Sequence, residues 1–291
     1  MKFSWDKWYE LPLDKRNTLQ IFITNRCNLN CEGCFAKKVR QVSEDKLTVD
    51  MDAGEYVEIV NAAVDRGVQQ INLLGGEPFL HPHLPVFIAY NNSKQLKTTI
   101  YTNGTWMERL PQKELGGAKV RVSFYGAATP EKSIDTLRAQ KFDIPFDANF
   151  MVSRTTTLAE LLIVADVVEK EYNCEIFFIS SLRECEKVDF FDDTNLSMPL
   201  LQYKMLVHKF LDAYSGDMDI HVSKRGVFES TMSLPHSRCK FANAFIDGKI
   251  IQCPYDVARL KFQEDYEFDS RYCQQNNTCL MSKIILRRKI R

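Results

Sequence analysis

The amino-acid sequence predicts an α/β fold, a partial (β/α)6 TIM barrel with a small C-terminal extension. Three observations predict it. Between Leu19 and Ser180, strand-like runs alternate with helix-like stretches, the pattern of successive right-handed βαβ units and a parallel sheet covered by helices. The alternation stops at six units, short of the eight that close a full barrel. After Ser181 it gives way to an acidic stretch from Glu184 to Asp193, one amphipathic helix and a cysteine-bearing tail. An open doubly wound sheet has the same periodicity and stays open as an arrangement. In either case the functional residues gather at the carboxyl ends of the strands.

Each element has its own local warrant. Leu19 to Thr24 is a β-branched and aromatic run. Ala53 to Val64 has helical spacing, with Asp50 or Asp52 available as a cap. Gln70 to Leu74 is strand-like, Pro82 to Asn91 a short helix, and Thr98 to Thr102 the third strand. Met107 to Glu114 is a weak helix, Val120 to Tyr125 the fourth strand, and Glu131 to Gln140 a helix entered through Thr129-Pro130. Phe146 to Val152 and Cys174 to Ser180 are strands separated by the strongly helical Leu158 to Glu171. Leu200 to Tyr214 is amphipathic. Ala244 to Ile246, Asp247-Gly248 and Lys249 to Gln252 form a hairpin signal. The chain therefore divides into an N-terminal segment 1–16, a core 17–181, a linker loop and helix 182–236, and an extension 237–291.

Composition excludes several classes. The 291 residues are 45% hydrophobic and 26% charged, ordinary globular values that rule out disorder and fibre. Lys plus Arg equals Asp plus Glu, 38 against 38, so no general pull toward nucleic acid or an anionic membrane exists, and neither partner is expected. The longest apolar runs, Leu161 to Ala165 and Ile176 to Ile179, fall far short of the ~20 residues of a membrane span. Met1 to Leu13 has no apolar core or cleavage site, which leads to the expectation of a cytoplasmic protein. Nine cysteines in a chain of this size and compartment suggest metal or redox chemistry rather than disulfides.

Three of those thiols stand directly after the first strand, in Thr24-Asn-Arg-Cys27-Asn-Leu-Asn-Cys31-Glu-Gly-Cys34-Phe35. A C-x3-C-x2-C loop can wrap one iron-sulfur cube and leave one iron without a protein ligand. A zinc site would require a fourth Cys or His nearby, and the nearest histidine is His81. This loop, with an aromatic residue after its third cysteine, resembles the signature of the radical S-adenosylmethionine (SAM) superfamily. The resemblance implies a [4Fe-4S] cluster whose open iron chelates the methionine end of SAM, and one-electron cleavage to a 5′-deoxyadenosyl radical.

A second motif agrees with the first. Leu74-Gly75-Gly76-Glu77-Pro78, at the end of the second strand, resembles the family's GGEP segment. Two glycines let backbone approach a ligand, and Glu77 offers an anion to an ammonium. Thr102-Asn103-Gly104 is similar to the family's TNG, and Ser123 to a serine near the bound ligand. Asn149 is similar to a ribose-side asparagine, and Phe35 is expected against the adenine.

Cys239, Cys253, Cys273 and Cys279 lie in the tail. Gly248-Lys-Ile-Ile-Gln-Cys253 resembles the hairpin with which SPASM or twitch extensions hold an auxiliary cluster, which implies one auxiliary [4Fe-4S] cube in a truncated extension. On ligand count, structural zinc fits four cysteines equally well. His236-x2-Cys239-x13-Cys253 is similar in spacing to the C-terminal cluster of the molybdopterin-precursor synthases, with His in place of Cys. Cys174 reads as a buried core residue. Cys185, beyond the sixth strand, is a candidate hydrogen-atom donor, auxiliary ligand or idle loop thiol. The run from Met281 to Arg291 is basic and reads as a solvated tail.

The resemblance implies an enzyme that abstracts hydrogen from a peptide or protein side chain and takes electrons from an external donor such as flavodoxin or ferredoxin. A nucleotide or cofactor precursor is the alternative substrate. A noncatalytic zinc or iron-sulfur scaffold is the alternative of another class.

Overall fold

The computed structural model describes residues 17–31, 34, 49–105, 112–125, 130–139, 144–182, 196, 198–223, 241–244, 250–251 and 283–287. Seven strands run parallel in chain order: β1 (Thr18–Thr24), β2 (Gln70–Gly75), β3 (Lys97–Thr102), β4 (Lys119–Tyr125), β5 (Phe146–Val152), β6 (Ile176–Ser181) and β7 (Asp219–Ser223). Between them lie α1 (Ala53–Val64), α2 (Leu84–Ser93), α3 (Pro130–Ala139), α4 (Leu158–Tyr172) and α5 (Leu200–Ala213). Only a 3-10 turn, Gln112–Leu115, precedes β4 among the described residues. The sequence reading stops at six strands. The structure adds β7, a short polar and apolar alternation that α5 delivers to the edge of β6.

The sheet continues at both ends. β8 (Phe241–Ala244) pairs parallel with β1, and β9 (Ile250–Ile251) pairs antiparallel with β8; the Asp247-Gly248 turn expected near them lies outside the described residues. At the other end β10 (Lys283–Arg287) pairs antiparallel with β7. The ten-stranded order, β10-β7-β6-β5-β4-β3-β2-β1-β8-β9, does not close on itself.

One face of the sheet is apolar. Ile21, Leu73, Ile100, Val122, Phe150 and Ile179 are fully buried, in one cluster with Tyr56 and Val60 of α1, Phe87 of α2, Val164 of α4 and Phe210 of α5. Because the described helices pack into that single cluster, the arrangement is an open barrel wall and not a doubly wound sheet. Side chains of opposite parity face away from the helices: Phe22 and Phe178 are buried but stand outside the cluster.

The elements start and stop where local chemistry dictates. Asp52 caps α1, accepting from the Gly54 amide at 2.7 Å. Thr157 and Glu160 form a reciprocal capping box on α4, and Asn173 ends it in the left-handed conformation. Cys174 is 5% exposed, and burial pushes its thiol up to about 12, as befits a core cysteine. No helix among the described residues is long and apolar enough to cross a membrane.

Candidate functional site

Loops at the carboxyl ends of β1, β2 and β3 meet and lock together. The β1 loop carries Cys27, Cys31 and Cys34, all partly exposed. The β2 loop lies directly on its backbone: the Gly76 amide donates to Thr24 O and the Glu77 amide to Arg26 O, both at 2.7 Å. A Cβ on Gly76 would stand 2.0 Å from Arg26 O and one on Gly75 2.4 Å from Thr24 O, so only glycine permits this approach.

The base of the cysteine loop is latched separately. Thr24 Oγ1 donates to Asp50 at 2.6 Å, and the Arg26 guanidinium pairs with Asp50 at 2.7 Å. Of the two aspartates offered as caps by the sequence, Asp52 caps the helix and Asp50 holds the loop.

Glu77 occupies a place that its sequence reading does not foresee. It is 0% exposed. Its Oε1 accepts from the Phe79 amide and from Thr102 Oγ1, and its Oε2 from the Asn103 amide at 2.8 Å. Instead of pointing an anion at an ammonium, the side chain braces the β2 loop against the β3 loop, because turning inward satisfies two backbone amides and a hydroxyl. Burial pushes its carboxyl up to about 7, opposed by those donors. Pro78 opens the buried 3-10 turn Pro78–Leu80, and the Thr102 hydroxyl is spent on Glu77.

Asn103 does reach the cysteine loop. Its Nδ2 donates to Asn28 Oδ1 at 3.0 Å and approaches Cys27 Sγ at 3.8 Å, while the Leu29 amide approaches the same sulfur at 3.4 Å. Asn28 Nδ2 donates in turn to the Thr105 carbonyl and hydroxyl. A sulfur that collects N–H donors suits a thiolate ligand. Among the described residues no three His, Cys, Asp or Glu side chains gather as around one metal ion. Three thiolates that bind separate irons of one cube stand farther apart than the ligands of a single ion. The donor set and the glycine cradle fit a [4Fe-4S] cluster held by Cys27, Cys31 and Cys34.

Farther along the rim, Ser123 and Asn149 are register partners on β4 and β5, and the Ser180 hydroxyl donates to Asn149 Oδ1 at 2.6 Å. The structure thus brings together Gly75, Gly76, Asn103 and Cys27, and sets Ser123 beside Asn149. Asn28, Asp50 and Ser180 are additions to the sequence reading. Asn28 alone had a signal, its place inside the cysteine motif. Phe35, Cys185, His236, Cys239, Cys253, Cys273 and Cys279 lie outside the described residues.

Residues 21–148 match the Radical SAM superfamily. The chain carries a radical SAM domain. A probable GTP 3',8-cyclase of Methanococcus maripaludis is 38% identical over 109 residues, 36% of this chain and 35% of that protein. A GTP 3',8-cyclase of Helicobacter pylori strain HPAG1 is 22% identical over 264 residues, 81% of this chain and 80% of that protein. The stronger match therefore spans about a third of the relative's length. Among solved structures, Streptococcus suis SuiB bound to precursor peptide SuiA aligns with a TM-score of 0.66 at 14% identity, covering 83% of this chain and 60% of SuiB. anSMEcpe with bound AdoMet and Cp18Cys peptide aligns at 0.53 and 16% identity, covering 82% and 74%. Both likenesses concern the radical SAM fold.

Proposed function

We propose that this protein is a radical SAM enzyme that abstracts hydrogen from a nucleotide or cofactor precursor. The observation that carries the chemistry is the three-loop lock, in which the glycine cradle and Asn103 converge on the loop of Cys27, Cys31 and Cys34. The chemistry supplied by cluster and SAM, when bound, is one-electron cleavage of the sulfonium to methionine and a 5′-deoxyadenosyl radical that takes a substrate hydrogen. The chain's own part is placement. Cys27, Cys31 and Cys34 hold the cube, and the half-buried backbone around Gly75 and Gly76 lets the methionine end approach it. Ser123 and Asn149 offer polar groups to the adenosine end. Glu77 fixes the β2 and β3 loops relative to each other, so that these groups need no rearrangement when ligand arrives.

The substrate reading rests on the sequence relatives, which are named as nucleotide cyclases. The peptide side chain suggested by the tail yields to it, since the likeness to peptide-bound structures extends to the fold alone. An auxiliary [4Fe-4S] cube on Cys239, Cys253, Cys273 and Cys279, and an external flavodoxin- or ferredoxin-like electron donor, complete the proposal. After anaerobic reconstitution, iron analysis gives about eight irons per chain, and dithionite with SAM yields 5′-deoxyadenosine. Incubation with nucleoside triphosphates then consumes the nucleotide. No 5′-deoxyadenosine from the loaded protein refutes the chemistry; a peptide that changes mass while every nucleotide survives refutes the substrate.

A further inference from the structure

The face of the sheet turned away from the helices carries a charged cluster that the cofactor site does not use. Register places Tyr101 of β3, Arg121 of β4 and Asp147 of β5 side by side. One step toward the carboxyl ends lie Ser123 and Asn149, about 7 Å away along the strands. Arg121 is held from three sides. Its Nη1 donates to the Tyr101 hydroxyl at 2.9 Å and its Nη2 to Asp147 at 3.0 Å, and its Cζ lies 4.0 Å from the centre of the Phe178 ring.

Among the described residues the cluster does not balance its charge. Asp147 is shared with Lys119, 2.9 Å away, so two cations meet one carboxylate, and Tyr101 is kept neutral because burial raises its pKa. The Arg121 side chain retains 19% exposure against 1% for Asp147, and its buried Nε has no hydrogen-bonding partner among the described residues. A rigid, half-stacked guanidinium with spare donors and an uncompensated charge is a receptor for a planar or tetrahedral oxyanion.

Building on the radical SAM reading above, we propose that Arg121 binds an anionic group of the substrate, a phosphate or a carboxylate, on the sheet face turned away from the helices, one step below the Ser123–Asn149 row. Anchored there, a small molecule presents a C–H bond upward to the adenosine end of SAM. Asp147 acts as a competing internal anion that orients the guanidinium and tempers its affinity.

The test is calorimetric titration of the reconstituted full chain with GTP, guanosine and citrate, in chloride buffer free of phosphate. The expected result is binding of GTP or citrate, with guanosine much weaker; GTP alone identifies a phosphate group, citrate alone a carboxylate. Arg121→Gln lowers affinity for the bound anion roughly tenfold or more, as loss of a charge-assisted pair demands. Asp147→Asn raises it, although both variants unfold at lower temperature than the parent. A structural role alone would not produce opposite signs. The inference is overturned if neither anion binds, if guanosine binds as well as GTP, or if the two variants shift anion affinity in the same direction or not at all. Because 5′-deoxyadenosine formation by the parent protein is assayed separately, failure of the anion site and failure of the radical SAM reading give different results.

Discussion

The two faces of the sheet are built for opposite purposes. On the helix side, Leu73, Val122, Phe150 and Ile179 are fully buried in one continuous apolar cluster, and their contribution is transfer free energy. On the other side the same strands present Asn72, Thr99, Tyr101, Arg121, Asp147 and Asn149, polar groups held by hydrogen bonds and ion pairs. Burying such groups contributes little net stability and is costly where a partner is lacking. Stability and chemistry therefore alternate residue by residue along each strand, and substitutions on the two faces should separate cleanly.

The largest separation is expected at the rim. Replacing Cys27, Cys31 and Cys34 together by Ala reduces 5′-deoxyadenosine formation to the blank, measured chromatographically after reconstitution, while the apo protein's urea midpoint stays close to the parent's. A midpoint that collapses would show these partly exposed thiols to be part of the core after all. On the apolar face, Phe150→Ala should lose about 3–5 kcal/mol in urea unfolding yet keep its 5′-deoxyadenosine yield at temperatures where it remains folded. Loss of yield in the folded variant would break the division between faces.

A third separation uses pH. Glu77, pushed up from 4.5 to about 7 by burial, holds its proton longer in the folded chain, so its contribution is fully present below pH 4.5 and is lost as pH rises through about 7. His81, pushed down from 6.5 to about 4 by burial, contributes above pH 6.5 and loses that contribution as pH falls through about 4. In the parent apo protein the two slopes largely cancel between them. Glu77→Gln should leave stability rising with pH from about 4 to 6.5, and His81→Asn should leave it falling from about 4.5 to 7, by at most about 3 kcal/mol. Parallel pH profiles for the two variants would remove burial as the cause.

The smallest effect belongs to Asn28→Ala. It removes the clasp between the cysteine and β3 loops at about 1 kcal/mol, and should weaken SAM binding several-fold by equilibrium dialysis without lowering iron content. Unchanged SAM affinity would show that Asn103 keeps its place alone.

What could be read in advance follows from the same alternation. The strands Gln70–Gly75 and Phe146–Val152 and the helix Ala53–Val64 declare themselves through local periodicity, and the cysteine and double-glycine loops through residue types that little else explains. β7 escaped because Asp219 to Ser223 is short and half polar, and acquires strand identity only beside β6. Glu77 escaped for a different reason: its partners Thr102 and Asn103 lie a whole βα unit downstream, and no local pattern says whether a carboxylate faces a ligand or a neighbouring loop. Arg121 and Asp147 are likewise paired by register alone.

The pairing of β8 with β1 bears on the order in which the protein is made. Thr18, near the start of the chain, takes Phe241 as its neighbour, and β10 completes the edge of β7 still later. During synthesis the strand that leads into the cysteine loop therefore waits, with one edge unpaired, until the residues through Ala244 have left the ribosome. Such long-range closure slows folding and leaves a sticky edge in the interim. Cluster insertion is thus best timed after β8 has paired with β1, and expression at low temperature or with a chaperone should raise the fraction of protein that accepts iron.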